Sequence, residues 1–137
     1  MNKKVNKLLH KFFYDCHRKL WDAIIKYIKA NPCCNDIHFA KMLVKSKIFG
    51  DIKIKSCCFG CHLALTHRRF QWVLCDQCFL GLSKICNNWH FYFPYGSLLK
   101  NRIELCKKIR DCGYTLTNNK RIYNKMVDLF IEMMGDL

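Results

Sequence analysis

The sequence predicts a mainly α-helical protein with a small β-hairpin, a helical domain built around one treble-clef-like zinc finger with four cysteine ligands. Two observations carry this. Cys58 and Cys61, then Cys75 and Cys78, form two Cys-x-x-Cys pairs separated by 13 residues, a spacing that suits one tetrahedral ion with a short hairpin between the ligand pairs. On either side of them, apolar residues recur every three to four positions, the period of helices with one buried face. With 137 residues and 51% apolar side chains, the chain is long and apolar enough for one domain with a core, not a disordered segment.

The expected single domain has three parts: basic helices over 1–50, the finger over 51–90 and further helices over 91–137. Residues 3–30 form the clearest helix. Val5, Leu8, Leu9, Phe12, Phe13, Cys16, Leu20, Trp21, Ile24, Ile25 and Ile28 mark its apolar side, most of its lysines fall elsewhere, and Asn31 and Pro32 stop it. Asn35 and Asp36 then cap a second helix to about Lys47, with Ile37, Phe39, Ala40, Leu43 and Val44 inward. Cys33 and Cys34, adjacent in sequence, cannot easily hold one tetrahedral ion together and are expected as buried or incidental thiols. Gly50 and Asp51 break the chain, and Ile52 to Lys55 alternates as a strand entering the finger.

Within the finger, Gly60 provides the tight knuckle. Leu63 to Thr66 and Phe70 to Leu74 read as the two hairpin strands, with His67, Arg68 and Arg69 at the turn. A helix expected from about Asp76, with Leu74, Phe79, Leu82, Ile85 and Cys86 on one side, would set the second cysteine pair at its N-terminus, where free amides and the helix dipole favour thiolate. Cys57 is an alternative to Cys58 as a ligand. His62 and His67 are nearby but surplus to four thiolates, and Cys86 with His90 could contribute to a second ion. The aromatic run Trp89 to Tyr95 reads as loop packing or as a base-stacking surface. Ser97 caps a helix from Leu98 to Cys112, closed by Gly113, with Leu99, Ile103, Cys106 and Ile109 inward and Lys100, Arg102, Lys107, Lys108 and Arg110 outward. A polar link at Asn118 and Asn119 precedes the last helix, whose stripe is Ile122, Met126, Leu129, Phe130, Met133 and Met134.

The charge balance indicates the partner. Twenty-four Lys and Arg against ten Asp and Glu give a formal +14, so an anionic partner is expected, nucleic acid first and an acidic protein surface second. Arg68 and Arg69 at the hairpin tip, with Lys3, Lys4, Lys7 and Lys11 of the first helix, are the candidate phosphate contacts. A cysteine count that is odd, with no signal-peptide core and no transmembrane run in the sequence, points to reduced thiols in an intracellular, nuclear setting.

Catalytic motifs are missing: there is no Gly-x-Ser-x-Gly, no phosphate-binding glycine loop, no His-Glu-x-x-His, and glutamate occurs only at 104 and 132. Four thiolates leave one Zn²⁺ no open position for water, so the ion is expected to be structural and the protein not an enzyme. The alternative is a divergent RING or U-box-like ubiquitin ligase or interaction adaptor, although the interleaved Cys-x-His pair of a RING is absent. Together, the lysine- and asparagine-rich chain, the basic first helix and the lone finger at Cys58, Cys61, Cys75 and Cys78 resemble the small zinc-binding accessory proteins of large insect DNA viruses, the baculoviruses in particular. That resemblance implies the infected-cell nucleus or virion, partners among viral assembly proteins, and a part in nucleocapsid assembly or late gene expression.

Overall fold

A computed structural model describes residues 2–34, 36–50, 59, 63, 78–80 and 97–135, with backbone alone at 37 and 38. Four helices make up its regular structure, and no strand occurs among the described residues. They are α1, Lys3–Ala30; α2, Ile37–Phe49; α3, Leu99–Arg110; and α4, Lys120–Met134. α1 packs against each of the other three, which scarcely touch one another.

α1 is about 42 Å long at 1.5 Å per residue, enough to underlie the whole described fold. Asn2 caps its start, its side chain accepting from the Val5 N–H at 3.1 Å. Asn31 ends it, returning both its backbone N–H and its side-chain amide to Tyr27 O, and Pro32 prevents further helix. The expected apolar stripe is buried from Leu9 to Ile28 except at Phe12, which is partly buried, but Val5 and Leu8 are 39% and 60% exposed. In their stead Asn6, His10 and His17 face inward. The buried arc of the first turns runs through 6, 9, 10 and 13, because the chain crossing them offers backbone polar groups that only polar side chains can satisfy.

In α2, the Asp36 carboxylate accepts from the Phe39 N–H at 3.0 Å, while Asn35 and the Ile37 side chain lie outside the description. Ala40 and Val44 are buried as expected, but Phe39 and Leu43 are exposed; Lys41, only 5% exposed, takes the inward place with its ammonium 5.0 Å from the Trp21 ring centroid. A long cation can be buried there because its stem packs on apolar surface and its head rests on an aromatic face. Ala40 has no side chain beyond Cβ, which lets α2 approach α1 closely. Gly50, at φ +64°, ends the helix in a conformation that favours glycine. Of the paired thiols, Cys33 is exposed and Cys34 half-buried.

α3 is shorter than expected, and Ser97 does not cap it: Leu98 is the N-cap residue and makes no side-chain capping bond. Cys106 and Ile109 face the core, joined by Arg102, which was expected outside. The Arg102 guanidinium donates to Cys34 O and, at 2.6 Å, to Pro32 O, so its charge ties α3 to the α1–α2 turn. Periodicity places Arg102 outside because it weighs polarity and does not register carbonyls waiting at the helix end. In α4, Asn119 accepts from the N–H groups of Arg121 and Ile122. Ile122, Met126 and Leu129 are buried, Phe130 and Met133 partly so, and Met134 is 37% exposed at the fraying end.

Phe59, Leu63, Phe79 and Leu80 complete the core, each no more than 2% exposed. Phe59 packs on Phe13 and Phe49, and Phe79 meets His10 edge-on at 5.5 Å. Leu63, expected to open a hairpin strand, has helical backbone, and Phe79 and Leu80, expected in a helix, form a turn. The remaining hairpin residues, the strand at 52–55, the aromatic run 89–95 and the second-ion residues Cys86 and His90 lie outside the described residues.

The revised inward register of α1 is testable by denaturation in urea. Leu8→Ala is expected to change stability by less than about 0.5 kcal/mol, whereas Leu20→Ala, at a position 1% exposed, is expected to cost about 2–5 kcal/mol. Equal losses would place Leu8 in the core and contradict the register.

Candidate functional site

Between α3 and α4, residues 112–119 belong to neither helix nor sheet, yet they lie along α1, and polar side chains of α1 hold them there. Asn6 Nδ2 donates to Thr117 O at 3.0 Å, and the Thr117 N–H donates to His10 Nε2 at 3.2 Å. Tyr14 Oη accepts from the Gly113 N–H at 3.1 Å, and His17 Nε2–H donates to Ile109 O at 2.7 Å. Nearer the middle of α1, Arg18 meets Asp111 at 3.2 Å and Asp22 meets Arg110 at 2.8 Å. The chain thus runs antiparallel to α1, from Arg110 beside Asp22 to Thr117 beside Asn6.

His10 has a defined role in this ladder. Its Nδ1–H donates to Asn6 O at 2.8 Å while Nε2 accepts, so the neutral ring fits both partners. A second proton on Nε2 would face the Thr117 N–H. Burial accordingly holds its pKa below the ordinary histidine value, outweighing the opposite pull of Asn6 O. At His17, the Nε2 proton is engaged by Ile109 O although Cys112 Sγ lies 3.7 Å away, so that nitrogen is not placed to deprotonate the thiol. Burial pushes the Cys16 thiol up to about 11 and that of Cys106 up to about 12, far from reactive thiolate chemistry.

The ladder also brings two helix starts to one end of the molecule. Asn6 holds Thr117, and Asn119, two residues later, caps α4, so α4 begins beside the first turns of α1. Lys3, Lys4 and Lys7 are exposed at the start of α1, Lys120 and Arg121 at the start of α4. Neither helix has an acidic residue in its first turn, so the cations stand at the positive ends of two helix dipoles. None of these five has an acidic partner among the described residues. Lys11, one turn on, is exposed but paired with Asp15 at 2.9 Å. Further along, some cations are paired: Asp111 is bound by Arg110 and Arg18, which hold its carboxyl below the usual range, and Glu104 lies 3.7 Å from Lys107.

Of the residues expected at the site, Lys3, Lys4 and Lys7 thus share one end with Lys120 and Arg121, which periodicity did not single out. Their signal in the sequence is the absence of any acid from 112 through 127. Arg68, Arg69, Cys58, Cys61 and Cys75 lie outside the described residues, as do Cys57, His62 and His67. Cys78 is half-buried against the core, and its successors Phe79 and Leu80 are buried. Among the described residues no three His, Cys, Asp or Glu side chains come together as a metal-holding group, and no helix is long and apolar enough to cross a membrane. Comparison of the chain with protein-family models, curated proteins and solved structures found no match.

The His10 arrangement fixes the sign of an acid response. With the folded-state pKa below the unfolded value of about 6.5, unfolded chains bind the proton first, so this contribution is complete above that pH and falls away as pH drops toward the folded-state value. Thermal melts from pH 7.5 to 5 are expected to show this loss, and His10→Gln is expected to flatten the slope while lowering stability at neutral pH. An unchanged slope in the variant would remove His10 from this role.

Proposed function

We propose that the protein is a non-enzymatic binder of nucleic acid, or of an assembly containing it, and that its phosphate-binding surface is the basic end formed by Lys3, Lys4, Lys7, Lys120 and Arg121. The observation that carries this reading is the convergence of two helix N-termini, each without first-turn acids, on five exposed cations. Such an arrangement repels itself in the free protein, and a phosphate backbone relieves that repulsion. Lys11 extends the surface along α1, sharing its charge with Asp15, and Arg68 and Arg69 are further candidate contacts.

In the same reading, Cys58, Cys61, Cys75 and Cys78 hold one structural Zn²⁺. Their spacing supports this, and Cys78 adds a physical argument: buried Phe79 and Leu80 follow it directly, so the core would fix the position of that ligand. An ion held by four thiolates contributes to folding and leaves no site for water activation. A nuclear role in nucleocapsid assembly or late gene expression, as the resemblance to baculovirus accessory proteins implies, accords with a charged binder of this kind.

Affinity for a DNA or RNA oligonucleotide measured across a salt series tests the proposal. Log affinity should fall with log salt by about 0.9 for each phosphate neutralised, and Lys3→Gln, Lys4→Gln and Lys7→Gln combined should shallow that slope by up to about 3. Binding that ignores salt, or a triple variant with the original slope, overturns the assignment. Native mass spectrometry before and after chelation tests the ion separately: one zinc per chain is expected, and a metal-free folded chain contradicts it.

A further inference from the structure

The ladder accounts for only one edge of the segment that follows α3. The N–H groups of Gly113, Thr115 and Thr117 all point into the molecule, to Tyr14 Oη, Phe79 O at 2.7 Å and His10 Nε2. Gly113, at φ +78°, makes the turn that enters the segment, and the inward amides of Thr115 and Thr117 then follow the two-residue period of an extended chain, in which the intervening residues direct their N–H and C=O groups the other way. Those residues are Tyr114, Leu116 and Asn118. Their backbone groups have no partner among the described residues, and all three are exposed, Tyr114 and Leu116 by 40% each. One side of this irregular segment is therefore bonded to α1 and to the turn at Phe79, and the other has no backbone partner among the described residues.

We propose that this outer edge is a docking site for an extended acidic peptide, which adds to it as a β-strand. The free edge supplies the affinity: each of the three residues offers a donor and an acceptor in the spacing of an antiparallel partner. Charge selects the occupant. The stretch 112–127 contains no acid, Lys120 and Arg121 follow the edge, and Lys11 lies close enough to Tyr114 to interact with it electrostatically. Two copies of this chain would instead bring together proteins of +14 each at edges flanked by the same cations. The side chains of Tyr114 and Leu116 give an incoming strand apolar contacts beside the backbone bonds.

Amide hydrogen exchange on the full chain tests this with three synthetic peptides. One alternates valine with glutamate, one valine with lysine, and the third is the glutamate peptide methylated on every backbone nitrogen. The glutamate peptide is expected to slow exchange at Tyr114, Leu116 and Asn118 by at least about tenfold, and the methylated form, with the same charges but no donors, to bind at least about tenfold more weakly. Leu116→Pro removes one outward donor and should weaken binding comparably while helical circular dichroism persists; if it unfolds the chain, the methylated peptide decides. Unchanged exchange at the three amides, equal protection by the lysine peptide, or self-association through the same edge overturns the proposal. A chain that binds oligonucleotides but fails these tests leaves the nucleic-acid reading standing and removes this one.

Discussion

A stretch of chain laid against a helix, with no neighbouring strand, must find partners for its buried backbone groups or lose stability for each one left bare. The fold depends on how α1 meets that demand. Asn6, His10, Tyr14 and His17 recur at three to four residues along one side of the helix, and each takes a hydrogen bond from, or gives one to, the chain between Ile109 and Thr117. Beside this polar row, Leu9, Phe13, Leu20, Ile24 and Ile28 supply the apolar contacts. One helix therefore provides the core and stands in for a sheet. α2, α3 and α4 can then be arranged around it with little contact among themselves.

The same row sets the electrostatics. By seating Thr117 on Asn6 and His10, it decides where α4 begins and so which cations stand together. The acids Asp15, Asp22 and Asp111 lie further along, where they are taken up by Lys11, Arg110 and Arg18. Exposed pairs like these contribute little to stability. Their effect is to hold these acids away from the end where Lys3, Lys4, Lys7, Lys120 and Arg121 stand.

How much of this could be read from residue order depended on whether the deciding contact was local. The limits of α1, its arrest at Asn31 and the placement of Ile122, Met126 and Leu129 all follow from local chemistry and period, and they match. Asn6, His10, His17, Lys41 and Arg102 were not legible. Each is a polar residue on an inward face because of a partner distant in sequence: Thr117, Ile109, Trp21, Pro32 and Cys34. An apolar period cannot register such partners, and Val5 and Leu8 were assigned inward for the same reason. Leu63 shows the opposite error, a β-favouring neighbourhood taken as strand where the backbone is helical. At the basic end, Lys3, Lys4 and Lys7 were visible as a charged run, but their proximity to Lys120 and Arg121 is tertiary. The four-cysteine motif lies, apart from Cys78, outside the described residues.

The two thiols that α1 and α3 bury in the core bring one more consequence. Cys16 and Cys106 lie on the two helices that the ladder joins, nearly inaccessible and protonated by virtue of burial. An alkylating reagent needs both access and thiolate, so in the native state it meets neither, while Cys33 stands exposed on the surface. The chain therefore carries its own clock for opening: the rate at which these two sulfurs become labelled measures how often the core around them opens.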